Sequence, residues 1–423
     1  MKKQLITALL ASSFITTTAF ADEVPDGKAI AAQEWRALIE PLLPLGEKMV
    51  GMMAEPGDPL LRQEIYRQNF SAMSMAYMGL FLGDAGHPDF WPLIHQAWSF
   101  LAPNPDDSYY LAPIDGNGNY RMSGFRGTVR IVDVQVGSGS LMPHGTGTLG
   151  PNIATYNLDT VHINKKDGAF SVILSEKRPE GYKGDWWKIE PKASYILIRQ
   201  IAYDWNRELD GRLAIERLDT PAIKPRLSAA QIQDNLRTVS SWVDNWNTLA
   251  LKWANGFRAK GYVNKVFVHP LKDIGGVSTQ QYIEGEFELA PDEALIYETE
   301  VPAKCRYWNI MLTDMQLAAI DPLNRQTSLN GHTAKRDKDG KFRAVISAGD
   351  PGVPNWLDSA GYARGTLSGR WNDCSSNPTP TMTRVKLADV RKALPTDTPA
   401  VSAEERDAAL RLRRTGAQLR KRW

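Results

Sequence analysis

From Asn104 to Lys386 the chain keeps returning to one pattern: a short run of alternating apolar residues, then a cluster of turn-formers. Alternation with a period of two is the mark of a half-buried strand. It occurs at Tyr109 to Ile114, Tyr120 to Ser123, Thr128 to Val136, Thr160 to Asn164, Phe170 to Leu174, Tyr195 to Ala202 and Arg212 to Leu218. It resumes at Gln281 to Leu289, Leu295 to Val301, Arg306 to Thr313, Phe342 to Ser347, Gly365 to Trp371 and Thr383 to Lys386. Many short strands with turns between them predict a mainly β protein of antiparallel sandwich or jelly-roll halves. Asp115-Gly116-Asn117-Gly118-Asn119 predicts a tight hairpin between the strands on either side of it.

Helical texture surrounds and interrupts the strands. Residues 28 to 102 read as helical, with Trp35, Leu38, Leu42 and Leu45 on one face. Pro41 and Pro44 bend or end that first helix. A second helix is expected from Pro59 to Leu82, with Leu61, Ile65, Phe70, Met73 and Tyr77 recurring along it. Ser228-Ala229-Ala230-Gln231 is a capping box. Behind it Ile232, Leu236, Val239, Val243, Trp246 and Trp253 predict a helix packed on a sheet, with a dimer seam as the competing reading. Ser402-Ala403-Glu404-Glu405 caps a last helix whose acids come early and whose bases come late, as the helix dipole prefers. That basic tail reads as a docked terminal helix. The competing reading is surface contact with anionic lipid.

These textures divide the chain into a leader (1–21), a helical segment (22–103), a first β region (104–225), a helical insertion (226–275), a second β region (276–390) and a linker with its basic helix (391–423). The leader has Lys2 and Lys3, an apolar run from Leu5 to Phe14, and Ala19-Phe20-Ala21 before the cut. It reads as a secretory signal peptide, which predicts a periplasmic or secreted protein. The run is too short to span a bilayer, so no transmembrane segment is expected. Loss of Lys2 and Lys3 lowers Lys+Arg from 50 to equality with the 48 Asp+Glu. A neutral chain lacks the basic field that captures nucleic acid. Cys305 and Cys374 are the only two cysteines. In an oxidising compartment they are disulfide candidates, against two independent buried thiols.

Three motifs fail on context. Gly145-Thr146-Gly147-Thr148-Leu149-Gly150 matches a dinucleotide fingerprint, but Pro143 and Pro151 flank it and no strand feeds directly into it. Asp115, Asn117 and Asn119 begin like a calcium loop, yet Tyr120 stands where glycine is required and Arg126 where glutamate is. The six histidines show no zinc-binding spacing. No nucleophile-elbow pattern occurs. No cofactor and no metal is therefore expected.

Two constellations remain. The first is Asn104-Pro105-Asp106-Asp107-Ser108-Tyr109-Tyr110, with Arg121 and Arg126 on the strands that follow. An Asn-Pro-Asp turn presents Asp107 and the tyrosines at the mouth of a sheet. The competing reading is an internal Asp–Arg126 pair. The second is Asp350-Pro351-Gly352-Val353-Pro354-Asn355-Trp356-Leu357-Asp358, with Arg364 and Arg370. Two prolines and a glycine make a rigid loop, a good platform for a site. Trp356 could stack on a flat ligand while Asn355 and Asp358 bond its polar edge. The competing reading is a Trp plugging the sandwich end, with Asp358 buried against Arg370.

The second constellation also carries a resemblance. Tyr307-Trp308, Asn324-Arg325-Gln326-Thr327-Ser328, the Asp350-to-Asp358 loop and Arg370-Trp371 together resemble the bacterial family built around domain of unknown function 1214. The resemblance covers roughly residues 276 to 390, and the Asn104-to-Arg126 segment also looks like the family. The family often follows a related domain, 1254. The resemblance implies tandem antiparallel β-sandwiches with added helices and carries no established catalytic residue.

Three functions are therefore expected, in order. The first is a binding protein whose cleft holds a small polar–apolar molecule such as a saccharide, lipid or aromatic compound, with Asn104, Tyr109, Tyr110, Tyr307, Trp308, Asn355 and Trp356 as ligand contacts. The second is a cofactor-independent hydrolase, lyase or isomerase. Asp107 and Asp358 would be its acid and base, and Arg126 and Arg370 would stabilise developing charge. The third is a structural envelope protein, which is compatible with homo-oligomers.

Overall fold

The computed structural model describes residues 32–53, 55, 57–94, 99–139 and 149–420. The leader, most of the glycine motif at 145–150, His95, His144 and the last three residues lie outside them.

Among the described residues the strands form four sheets, in two sandwiches. In the first sandwich a five-stranded sheet runs in the order Trp91–Pro92, Asp107–Pro113, Tyr195–Ile201, Ile131–Gly139, Leu149–Asn157. Its four-stranded partner runs Asp185–Lys188, Ala169–Ser175, Tyr120–Phe125, Arg212–Arg217. In the second sandwich the five-stranded sheet runs Lys265–Pro270, Gln280–Glu288, Arg364–Cys374, Cys305–Thr313, Ser328–Asn330. Its partner runs Trp356–Asp358, Phe342–Ser347, Glu293–Thr299, Thr381–Lys386.

Strand for strand, the two orders are the same. Even the departures from antiparallel pairing coincide: Ala169–Ser175 with Asp185–Lys188, and Phe342–Ser347 with Trp356–Asp358, are the parallel pairs. The fold is thus a duplication. Each copy has its own core. Val132, Val134, Ile196 and Ile198 meet Met122, Val172 and Leu174 in the first. Ile283, Ile310 and Leu367 meet Leu295, Ala344 and Ile346 in the second. Alternate residues of each strand supply these cores, so the other face of each five-stranded sheet is left to be covered.

The covering comes from helices and from the other sandwich. Asp58 caps the Pro59–Tyr77 helix through the amides of Leu60 and Leu61. Ser228 and Gln231 close the expected capping box on the Ala229–Ala259 helix. Both helices lie on the first five-stranded sheet, where Met75, Ala76, Trp242 and Trp246 pack with Leu111, Tyr195 and Leu197. Further along, Leu61, Ile65, Ala250, Leu251 and Ala254 reach Met315 and Leu317 of the second sandwich. Each large side chain so buried contributes about 1.5–3 kcal/mol.

Several local expectations change. Asp115 to Asn119 does not close a hairpin, because Asp107–Pro113 and Tyr120–Phe125 lie in different sheets. It is an arch that carries the chain across the core, because the edges of Asp107–Pro113 are taken by Trp91–Pro92 and Tyr195–Ile201. Thr160 to Asn164 is not a strand; a short 3-10 turn at Leu158–Thr160 occupies part of it. Helix ends near Leu82 rather than near 102. Phe70 and Tyr77 are exposed, and Gln68, Ala72, Met75 and Ala76 take the buried face instead. Strand Lys265–Pro270, inside the expected helical insertion, belongs to the second sandwich. No helix among the described residues is long and apolar enough to cross a membrane.

A disulfide joins Cys305 and Cys374, which are register partners on neighbouring strands, 69 residues apart in sequence. Closing a loop of that length stabilises the fold by about 4 kcal/mol in the chain-entropy model. Replacing both cysteines by serine is expected to lower the urea midpoint by a corresponding amount. An unchanged midpoint would show that the bond constrains little.

Candidate functional site

The outer faces of the two five-stranded sheets look at each other across a cavity of about 110 Å³. A single water needs about 10–15 Å³, so the space suits a small molecule. One wall is aromatic and aliphatic: Phe100, Leu101, Trp246, Trp253 and Leu317. The sheets supply the other wall, with Asp107, Tyr109, Arg199, Tyr282, Glu284 and Arg370.

The polar wall repeats the duplication. Tyr109 is the register partner of Arg199 in the first sandwich, and Tyr282 of Arg370 in the second. The Arg199 guanidinium lies 5.9 Å from the Tyr109 ring centre, and that of Arg370 lies 5.8 Å from Tyr282. The Tyr109 hydroxyl accepts from the Asn104 amide and the Tyr282 hydroxyl from the Val277 amide, five residues upstream in each case. Each arginine then crosses to the other half. Arg199 donates to the Gly275 carbonyl, in the link between the first two strands of the second sandwich, at 3.5 Å. Arg370 donates to the Ala102 carbonyl, in the link between the first two strands of the first, at 2.7 Å. Such reciprocal contacts are the signature of two-fold pairing.

The electrostatics are not symmetric. Burial pushes the Asp107 carboxyl up to about 8, against the opposing fields of Arg199, Arg420 and Arg370. Its Oδ1 is buried without a hydrogen-bond partner. Glu284 is held by His269 Nε2 at 2.7 Å. Beside the cavity lies a buried network that spans the two sandwiches. Asp106 accepts from the Tyr307 hydroxyl (2.6 Å), Trp205 Nε1 (2.8 Å) and Asn330 Nδ2 (2.9 Å). Asn104 Oδ1 accepts from Asn309 Nδ2 at 2.8 Å.

The structure therefore brings Asn104, Asp107, Tyr109 and Arg370 to one cavity and sends the other expected site residues elsewhere. Tyr110 is in the first core, and Trp308 is in the second. Tyr307 belongs to the joining network rather than to the cavity wall. Arg126 pairs with Asp159 and the Val129 carbonyl, not with Asp107. Asp358 accepts from Arg325 at 2.7 Å, so its expected partner Arg370 is not its partner. Trp356 is buried, gives its indole N–H to the Ser347 carbonyl and lies under Arg406. Asn355 ties down Lys335 and the Arg343 carbonyl. The rigid loop leads into the edge strand Trp356–Asp358 of the second sandwich and presents nothing to the cavity. Sequence reasoning missed Arg199, Tyr282, Glu284 and Phe100. Their signal is the paired Tyr and Arg on register-matched strands, which appears only once the pairing is known.

The basic tail is also occupied. Arg406, Arg413 and Arg420 recur every seven residues along the Ala403–Leu419 helix and its cap, and turn inward. They donate to Asp350, to Ser328 and to Asp210, respectively. A wider groove of about 650 Å³ runs beside that helix past Trp205, Asn330 and Arg413. Arg413 there is spent on Ser328 and the Pro322 carbonyl. Among the described residues no group of three or more His, Cys, Asp or Glu is placed to hold a metal ion.

The raised Asp107 pKa has a stability consequence. The folded state holds this proton more tightly than the unfolded chain, so the contribution is fully present below about pH 4 and is lost as pH rises toward 8. Asp107→Asn removes that dependence. The melting temperature of Asp107→Asn relative to wild type is expected to climb between pH 4 and pH 8. A pH-independent difference would place Asp107 in a solvated setting.

Comparison with known proteins adds family and fold. Residues 288–368 match the model of a family described as protein of unknown function (DUF1214). No curated protein matches the chain. Among solved structures, an uncharacterised protein from Burkholderia cenocepacia is similar at 28% identity with a TM-score of 0.78, over 84% of this chain and 97% of its own. A protein from Vibrio parahaemolyticus aligns at 12% identity with a TM-score of 0.44, over 82% of this chain and 100% of its own. The likeness to the DUF1214 family thus lies in the second sandwich, over residues 288–368.

Proposed function

We propose that the protein is exported to the periplasm and there binds a small amphipathic molecule in the cavity between its sandwiches. Export rests on the leader, and a disulfide fits an oxidising compartment. The single observation that carries the binding reading is the division of the cavity wall. Aromatic rings face one side, and Tyr–Arg pairs with the carboxyl groups of Asp107 and Glu284 face the other. Pockets that hold small ligands have this build: mostly apolar, with a few convergent polar groups. The paired-carboxylate reaction is less well supported, because Asp107 lines the cavity and Asp358 is committed to Arg325.

A ligand that binds only the folded state raises its stability, by about 2.7 kcal/mol at a hundredfold excess over Kd. A thermal-shift screen of small aromatic, alicyclic and sugar compounds is expected to give hits that quench Trp fluorescence. Trp253→Ala is expected to weaken those hits severalfold. A screen without hits, or hits indifferent to Trp253→Ala, would overturn the reading.

A further inference from the structure

We propose that the cavity takes a monoanion, a compact aromatic or alicyclic carboxylic acid, with its carboxylate seated on Arg370. This rests on the binding reading above and names its ligand class.

Arg370 is buried, with 6% of its surface exposed. Its observed acceptors are the Ala102 carbonyl and the Met311 sulfur, the latter a weak acceptor at 3.5 Å. Among the described residues no carboxylate lies within ion-pair distance of it. The duplication supplies the control. Arg199 holds the equivalent place in the first sandwich, and its cross-strand neighbour is Asp133. The equivalent neighbour of Arg370 is Asn309. Asp133 is bonded by Asn157 and faces Arg306 while its field reaches Arg199, whereas Asn309 brings no carboxylate to Arg370. An unpaired guanidinium in a dry site is costly, and an anion from outside offsets that cost. A carboxylate also presents two coplanar oxygens that match the guanidinium fork.

The rest of the cavity narrows the class. Glu284 is engaged by His269, so it does not take up the free charge on Arg370. Tyr109, Tyr282 and Tyr307 are the phenols around Arg370, and burial raises the pKa of both Tyr109 and Tyr307, so they stay neutral. Burial pushes the Asp107 carboxyl up to about 8, which favours its protonated form at pH 6.5, and in that form its unpartnered oxygen can donate to the second carboxylate oxygen. Phe100, Trp246, Trp253 and Leu317 face the body of the ligand, which is therefore apolar. The limited volume makes it compact.

The test is isothermal titration of the full exported chain with benzoate, cyclohexanecarboxylate, their two amides and phenylphosphonate. The acids are expected to bind at least about tenfold more tightly than the amides at pH 6.5. That preference is expected to fall above about pH 8, as Asp107 ionises and repels the ligand. In Asp107→Asn the affinity for benzoate is expected to stay level from pH 6.5 to 9. Arg370→Gln is expected to abolish the acid preference and Arg370→Lys to keep part of it. Amides binding as well as acids would overturn the anion assignment and leave the binding reading standing. Tighter binding of phenylphosphonate than of benzoate would overturn the carboxylate assignment. No binding of either acids or amides would overturn both readings. If Arg370→Gln does not fold, the wild-type comparison of acid with amide still decides.

Discussion

Everything in this molecule depends on how two sandwiches with separate cores are held face to face, and a buried carboxylate does much of that work. Asp106 comes from the first sandwich. Two of its donors, Tyr307 and Asn330, come from the second. Burial raises its pKa despite these donors, so the group is expensive to hide and costly to leave unpartnered. Around it, the Tyr203 hydroxyl accepts from the Trp308 amide, and Arg420 reaches the Asp106 carbonyl. Each bond has one end on either side of the joint or braces a residue that does. The cavity exists because this network fixes the spacing of the two outer faces.

The C-terminal helix secures the same joint from outside. Its first inward arginine grips the second sandwich at Asp350 and the Val353 carbonyl. Its last grips the first sandwich at Asp210 and the Gln200 carbonyl. Between them Arg413 lies over Trp205 of the first sandwich while donating to Ser328 of the second. A repeat of seven keeps successive side chains near one face of a helix, with a drift of roughly 20° per repeat. Net basicity left an anion-seeking surface open as the competing reading beside a docked helix. The spacing of the arginines carries the better information, because it shows that they share a face.

What was legible in the sequence was local. Both capping boxes form at Ser228 and Ser402 because their chemistry is complete within four residues. Strands such as Phe342–Ser347 follow alternation that needs no partner to be read. What failed depended on partners. Asp115-Gly116-Asn117-Gly118-Asn119 has hairpin composition, yet the pairing of its neighbours turns it into an arch. The loop from Asp350 to Asp358 has the rigidity of a site and uses it for packing. Asp107 and Tyr109 were singled out by the Asn-Pro-Asp turn before them, and Arg370 as a companion of the Asp350-to-Asp358 loop; all three line the cavity. Arg199 and Tyr282 were not singled out, because their meaning lies in a repeat that neighbouring residues no longer spell out.

That repeat also explains how the cavity can be lopsided. Two identical subunits meeting on a two-fold axis must offer the same side chain twice, so any charge placed on one lip appears on the other. Here both lips belong to one polypeptide, and each can change without the other. Asp133 and Asn309 stand at equivalent positions, one a carboxyl and the other an amide. Continuity of the chain is thus what permits a symmetric frame to carry two different lips.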